Sequence, residues 1–210
     1  MYGINNYIVF VLSGILLNLT PGNDTIYILT QSITQGRKAG IYSVLGISSG
    51  ALTHTVLASL GLSVVLSKSI VLFNIIKFAG AGYLIYLGVK AFQSKAASFR
   101  RPVSVGSDVD CRKVYTQGYL TNLFNPKVML FFLSFMPQFI NSNTGNNPIP
   151  FLILGCTFLT TGTVWCMVLA FAASALTNML RKSPLIGSIM QKLCGTVFIG
   201  LGMKIALDKR

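Results

Sequence analysis

The chain has 210 residues, of which 52% are hydrophobic and only 10% are charged, and its formal net charge is +13. Soluble domains usually carry about 25% charged residues, so this composition argues against a soluble protein and predicts an integral membrane protein. In that setting the positive charge is better explained by orientation in the bilayer than by nucleic-acid binding.

Six apolar segments are each long enough to cross a bilayer, which takes roughly 20 predominantly apolar residues in a helix. No cleavable signal peptide is evident, so we expect the first segment to be retained as a span. The sequence therefore predicts one all-α transmembrane domain, residues 1–210, with six helices. The predicted segments are about 4–34, 40–64, 69–92, 114–140, 149–178 and 185–206.

Basic residues are concentrated in three connections that alternate along the chain. Because positive residues collect in short cytoplasmic loops, we expect these connections in the cytoplasm and both termini outside. The longest connection, about 94–113, is expected to be a cytoplasmic linker between two halves. The basic residues are Arg37 and Lys38 in the first connection, Lys95, Arg100, Arg101, Arg112 and Lys113 in the second, and Arg181 and Lys182 in the third.

The two halves, about 1–93 and about 114–210, share weak sequence features in the same order. Residues 18–22 correspond to 122–127, and residues 85–90 correspond to 199–204. Each half has three spans, so the second copy must lie inverted, and inverted repeats with paired broken helices are typical of secondary transporters. We therefore expect helices one and four to be broken at Pro21 and Pro126, near mid-membrane.

Asp24 lies on the first turn after the expected break at Pro21. Its carboxylate has two compatible interpretations, a cap of its own half-helix or a site for a proton or a substrate ammonium. A charge at mid-bilayer costs about 2.5–3.5 kcal/mol on insertion scales, which favours a functional role. The N-terminus of a half-helix in turn favours an anion such as a substrate carboxylate.

Lys127 directly follows Pro126 and is the second charge expected near mid-membrane. It either snorkels to the interface or pairs with Asp24, or else it holds a substrate carboxylate. Residues beside the two breaks either satisfy loosened backbone groups or bind substrate. The candidate site comprises Asp24, Lys127, Asn18, Pro21, Gly22, Asn23, His54, Asn122, Asn125 and Pro126.

His54 is the single histidine and shares a helix face with Gly46 and Gly50, a spacing that favours close helix packing. It is interpreted as an interhelical hydrogen-bonding group or as a proton relay, because imidazole titrates near neutral pH. Lys77 is more simply a structural partner in the third segment, and Trp165 a lipid-facing or packing residue. The four cysteines have no metal-ligand spacing, so neither a metal site nor a cofactor is predicted.

Three blocks of sequence resemble the LysE/RhtB family of bacterial amino-acid exporters. The blocks are residues 21–24 with 35–40, residues 77–88, and Gly118 with 122–139; Asn23 stands where the family usually has a second proline. The resemblance covers nearly the whole chain. It implies an exporter in the bacterial cytoplasmic (inner) membrane that carries amino acids or their derivatives. The substrate it implies is neutral, such as the threonine and homoserine class.

The mechanism that these features favour is alternating access between the two inverted halves, with a proton entering as an amino acid leaves. The substrate is expected between the two breaks, its ammonium at Asp24 and its carboxylate at half-helix N–H groups near Lys127. Small-residue faces are compatible with a homodimer. No catalytic constellation indicates an enzyme. The alternative is a metal-ion or other small-solute transporter of the same architecture, for which Asp24 and His54 are candidate ligands.

Overall fold

The computed structural model describes residues 3–62, 109–141 and 147–182, with isolated helical positions between 71 and 89 and between 192 and 207. The described residues are helical apart from short connections, which confirms the expected all-α class for this part of the chain. The α-helices are α1 (Tyr7–Leu19), α2 (Asn23–Leu57), α3 (Cys111–Leu123), α4 (Pro126–Leu130) and α5 (Ile149–Lys182).

The first connection separates α1 from α2 by three residues. Thr20 and Gly22 both have extended backbone conformations, and Pro21 between them has no N–H with which to continue a helix. The Thr20 side chain donates a hydrogen bond to the Leu16 carbonyl at 2.8 Å, and the Thr20 backbone N–H donates to the same oxygen at 3.1 Å. Helical geometry then resumes at Asn23.

A sharp turn at Gly36 divides α2 into two parts that fold back on each other. Gly36 has φ +84°, a left-handed conformation that favours glycine because it has no side chain to clash. Residues 32 and 40 lie about 12 Å apart along a straight helix, yet a Cβ added at Gly40 would overlap the Ser32 side chain. The exposed Arg37 and Lys38 directly follow this turn.

A second interruption separates α3 from α4. Asn125 is extended, and its side-chain oxygen accepts a hydrogen bond from the Lys127 backbone N–H at 3.1 Å. Pro126 occupies the first helical position, where its missing N–H breaks no helical bond. The chain continues from α4 as one π-helical turn, Phe131–Phe135, and one 3₁₀ turn, Met136–Phe139.

Two helices extend beyond the segments expected from hydropathy. α3 begins at Cys111 rather than near 114, because the Asp110 side chain caps it by accepting from the Lys113 N–H at 3.0 Å. α5 continues to Lys182 rather than ending near 178. Polar residues occupy its last turns, so hydropathy stops before the helix does. The residue after Lys182 precedes Pro184 in the sequence, a position that disfavours helix.

The described side chains form two apolar clusters. The aromatic cluster joins α1 to the chain after α4 and to the first half of α5; its rings are Phe10, Phe131, Phe132, Phe135, Phe139, Phe151 and Phe158. The aliphatic cluster joins both parts of α2 to the later part of α5; it comprises Ile28, Leu29, Val44, Ile47, Leu169, Ala170 and Ala173. Among the described α-helices, only α5 contributes buried residues to both clusters. Its first half joins the aromatic cluster and its later part joins the aliphatic cluster.

The N-terminal residues are tied to the chain that follows α4. Asn5 donates its backbone N–H to the Phe139 carbonyl, and Asn141 donates to the Gly3 carbonyl, both at 2.8 Å. Ile4 and Ile140 form an isolated antiparallel bridge between these bonds. The start of the chain is therefore fixed beside the rings of the aromatic cluster.

Large apolar side chains on the outside of the helices face away from both clusters. Ile8 is 72% exposed and Val164 is 61% exposed, an arrangement suited to contact with lipid rather than with water. By length and composition Ile149–Ala173 is able to cross a membrane as one helix, and Asn23–Gly61 meets the same criterion although the turn at Gly36 divides it. The predicted segments 69–92 and 185–206, Lys77 and most of the linker 94–113 lie outside the continuously described residues.

Candidate functional site

A small cavity lies where the two helix interruptions meet α5. Its volume is about 30 Å³, and Asn18, Asp24, Asn122 and Lys127 all line it. Four of the ten residues predicted from the sequence therefore come together around one space.

Asp24 and Asn122 form the centre of the site. Asn122 donates its amide Nδ2 to the Asp24 carboxylate Oδ2 at 2.9 Å, a contact between residues 98 positions apart. Only the amide nitrogen can donate to an ionised carboxylate, so this bond also fixes Asn122 Oδ1 as an acceptor. Both Asp24 Oδ1 and Asn122 Oδ1 are buried, and neither has a hydrogen-bond partner among the residues that the structure describes. The site thus holds two acceptors that lack a donor.

The close contact between α2 and α3 places Asn122 beside Asp24. A Cβ added at Gly50 would lie 2.8 Å from both Asn122 Cβ and Asn122 Oδ1, so the glycine leaves the space that the amide occupies. Behind Asn122, the His54 Nε2 lies 3.4 Å from the Asn122 carbonyl oxygen. The His54 ring stacks on Phe132 with centroids 5.6 Å apart. His54 therefore supports Asn122 and does not belong to the cavity lining.

Lys127 connects the start of α4 to the end of α1. Its ammonium donates hydrogen bonds to the carbonyls of Leu17 at 3.1 Å and Thr20 at 3.0 Å. A cation is favoured at the carbonyl end of a helix by the helix dipole. A Cβ at Gly22 would lie 3.2 Å from this ammonium, so a glycine in the first interruption gives the lysine room.

The remaining predicted residues either belong to the helix interruptions or lie on the surface. Pro21 and Pro126 lie at the ends of helices, as described above, and the Asn23 side chain is exposed. Asn125 is buried, and its oxygen caps α4. Its amide nitrogen is buried and meets no acceptor in the described ranges, so it is a further buried donor beside the second interruption.

Helix α5 supplies cavity residues that the sequence analysis did not select. Gly162, Thr163 and Trp165 all line the cavity, although Trp165 was interpreted as a packing or lipid-facing residue. Ser48 also lines it and forms a 2.8 Å hydroxyl–hydroxyl hydrogen bond with Thr163. The run of three threonines and one glycine at 160–163, in the middle of an otherwise apolar span, is the sequence signal that marks this position.

The donor set does not resemble a metal centre. Among the described residues, no group of three or more His, Cys, Asp or Glu side chains is placed to hold a metal ion. The polar groups that line the cavity are instead one carboxylate, amides, hydroxyls, an indole and an ammonium, set among apolar side chains. Such a set suits a small polar organic molecule that presents both donors and acceptors.

Comparison with known proteins gives a consistent result over nearly the full length. The LysE type translocator family matches residues 15–209. The uncharacterized membrane protein YrhP of Bacillus subtilis is 34% identical over 200 residues, which cover 92% of this chain and 94% of that protein. The leucine efflux protein of Salmonella typhimurium is 28% identical over 205 residues, covering 98% and 96%. No solved structure matches this chain.

Proposed function

This chain belongs to the LysE type translocator family of membrane proteins, and from that premise we propose that it exports a neutral amino acid from a bacterial cell. The relatives named as leucine efflux proteins support an amino acid with an apolar side chain. The threonine and homoserine class, which the sequence resemblance suggested, remains within this proposal. The proposed location is the cytoplasmic (inner) membrane, with both termini outside.

The observation that carries the proposal is the pair of buried acceptors on Asp24 and Asn122. A buried acceptor without a donor costs about 1–3 kcal/mol, and more where no water reaches it. An α-ammonium group has three donors and a positive charge, so it satisfies both oxygens and neutralises the carboxylate. The site is therefore suited to the group that all amino acids share.

In this proposal Lys127 holds the end of α1 in place and does not bind the substrate carboxylate. Because its ammonium holds the carbonyls of Leu17 and Thr20, it positions the end of α1 relative to α4. It also keeps a positive charge close to the cavity that it lines, which offsets the charge of Asp24. The substrate carboxylate then needs neutral donors rather than a second cation.

Alternating access requires the cavity to become accessible from the two sides of the membrane in turn, so this conformation must interconvert with forms that open to either side. Proton entry through Asp24 is the proposed energy source. One charge crossing 100 mV supplies about 2.3 kcal/mol, enough for roughly a fifty-fold outward gradient of a neutral solute, since 1.4 kcal/mol is tenfold.

A second candidate is a transporter of a metal cation or another small solute. The same two oxygens that accept from an ammonium also suit a cation. One carboxylate with one amide oxygen supplies fewer ligands than the six to eight that calcium takes or the octahedral set that magnesium demands. The amino acid therefore fits better, and ion-dependent transport without amino-acid efflux would favour the second candidate.

The test compares wild type with Asp24→Asn and Asp110→Asn in cells loaded with amino acids as dipeptides. Asp24→Asn removes the charge in the cavity and should lower efflux at least about tenfold, the effect of losing 1.4 kcal/mol. Asp110→Asn makes the same chemical change at the cap of α3, where asparagine caps equally well, and should leave efflux unchanged. Full efflux by Asp24→Asn at equal membrane expression would contradict the role of Asp24.

A further inference from the structure

Six residues of α5 line the cavity on one helix face. They recur at spacings of three and four residues, which place side chains on one side of a helix; they are Phe158, Leu159, Gly162, Thr163, Trp165 and Cys166. The opposite face carries Val164, Val168 and Phe171, which are exposed. Helix α5 therefore presents a mixed polar and apolar wall to the same space that Asp24 and Asn122 face.

Trp165 carries a donor that the folded chain does not use. Its indole Nε1 is buried and has no hydrogen-bond partner within the described part of the chain. Indole N–H is a donor only, and buried indole groups usually find a partner. The Asn18 Nδ2, also in the cavity lining, is a second buried donor for which the described residues offer no partner. An acceptor oxygen would satisfy these two N–H donors, just as a donor would satisfy the oxygens of Asp24 and Asn122.

The cavity is bounded next to Asn18 by a residue without a side chain. A Cβ added at Gly162 would lie 3.3 Å from both the nitrogen and the oxygen of the Asn18 amide. That separation is tighter than ordinary contact, so a methyl group here displaces Asn18 or reduces the space. Leu159, one turn earlier, supplies apolar surface at the same wall.

We propose that α5 selects the substrate: Trp165 donates its indole N–H to the substrate carboxylate, and Gly162 with Leu159 limits the size of the substrate side chain. This inference rests on the proposed function, because it assigns the two ends of an amino acid to opposite walls of one cavity. Asp24 and Asn122 then bind the ammonium, while Trp165 and Asn18 bind the carboxylate. The ligand class is a free α-amino acid with an unmodified carboxylate.

The experiment measures efflux of alanine, valine, leucine and phenylalanine from proteoliposomes that contain purified full-length protein. Trp165→Phe keeps an aromatic ring and removes the N–H, so the KM should rise about tenfold for every amino acid, as expected for a hydrogen bond to a charged group. Substrate amides, which lack the carboxylate, should show no such difference between wild type and this variant.

Two variants move the size limit in opposite directions. Gly162→Ala should lower efflux of leucine and phenylalanine about tenfold relative to alanine, the usual discrimination for a methyl group in a pocket. Leu159→Ala should raise phenylalanine relative to alanine by a similar factor. The matched controls are Gly61→Ala, whose added Cβ meets no described residue within 4 Å, and Val164→Ala on the exposed face.

The outcomes separate this inference from the function on which it rests. If wild type exports no amino acid, both the proposed function and the selectivity of α5 are wrong. If wild type exports amino acids but the size order is the same in both cavity variants, the size limit is not set by α5. If Trp165→Phe leaves every KM unchanged, the indole does not bind the carboxylate. Should Gly162→Ala fail to fold, Leu159→Ala still tests the same boundary.

Discussion

At the scale of single residues, Lys127 joins two parts of the chain that are 110 positions apart through its bond to the Leu17 carbonyl. Lys127→Met keeps the length of the side chain and removes the charge, which leaves the carbonyls of Leu17 and Thr20 without that donor. Hydrogen bonds to charged groups contribute about 1.5–3 kcal/mol. We expect a lower melting temperature in detergent, measured by tryptophan fluorescence or by light scattering.

The control for this prediction is Lys113→Met, at an exposed position on the first turn of α3. It removes the same charge away from the cavity and should leave the melting temperature near that of wild type. Equal melting temperatures for the two variants would show that Lys127 contributes no more stability than a surface lysine.

His54 gives a second prediction at this scale. Its 3.4 Å contact with the Asn122 carbonyl is long for a hydrogen bond, and its ring is held by stacking on Phe132. His54→Phe keeps the stacking, so we expect efflux to fall by less than about fivefold, the equivalent of 1 kcal/mol, and to keep its dependence on external pH. An efflux rate that no longer responds to pH would instead make His54 the proton relay.

The sequence predicts Asp24 and Asn122 as site residues, but it does not predict that they pair. Each is a polar residue close to a proline in an apolar segment, which is a local signal. Their hydrogen bond joins positions 98 apart, and local patterns hold no information about which distant amide meets a carboxylate. Trp165 was missed for the same reason, since an aromatic residue in an apolar span is locally indistinguishable from packing.

At the scale of helices, the contact of α2 with α3 depends on small residues. A Cβ at Gly46 would overlap the Tyr115 carbonyl oxygen and lie 2.8 Å from the Tyr119 nitrogen. These are backbone atoms, so Gly46→Ala forces the two helices apart, and overpacking of this kind costs about 1–3 kcal/mol. We expect a clear fall in melting temperature and weaker efflux, because Asn122 lies on the displaced helix.

Gly61→Ala is the control for this helix contact because, among the described residues, its added methyl group meets no neighbour within 4 Å. Gly61 lies in the π-helical turn Ala58–Leu62 that follows α2, and the melting temperature of the variant should stay close to that of wild type. If Gly46→Ala melts at the same temperature as this control, the close contact between α2 and α3 is not needed for stability.

The helix boundaries are partly predictable from the amino-acid sequence. The turn at Gly36 falls between the segments expected at 4–34 and 40–64, because glycine next to two basic residues ends the apolar run there. The early start of α3 was not predicted, since it depends on the Asp110 cap rather than on hydropathy. The π-helical turn at 131–135 has no sequence signal of its own, because four apolar residues and Ser134 fit an ordinary α-helix equally well.

At the scale of the whole molecule, the distribution of basic residues predicts which loops face the cytoplasm. Single cysteines at Arg112 and Asn141 mark the two ends of one predicted span; both positions are exposed. In a background with the native cysteines replaced by serine, a membrane-impermeant maleimide should label Asn141→Cys in intact cells. It should label Arg112→Cys only after the cells are opened.

A third position provides the control for orientation. Lys38→Cys, beside the turn at Gly36, should behave like Arg112→Cys because both connections are basic and lie on the same predicted side. Labelling of Arg112→Cys from outside in intact cells would reverse the predicted topology, and labelling of both ends of the span would show that this segment does not cross the membrane.

The aromatic cluster has a consequence for how the chain can be divided. Phe10 and Leu17 are almost completely buried, and the rings that enclose them come from Phe131, Phe139 and Phe158. In a polypeptide that stopped at residue 93, the side of α1 that these rings cover would be exposed. The first helix of the N-terminal half is therefore buried by side chains of the C-terminal half. We expect the two halves, expressed as separate polypeptides, to form a stable structure only when they are made in the same cell.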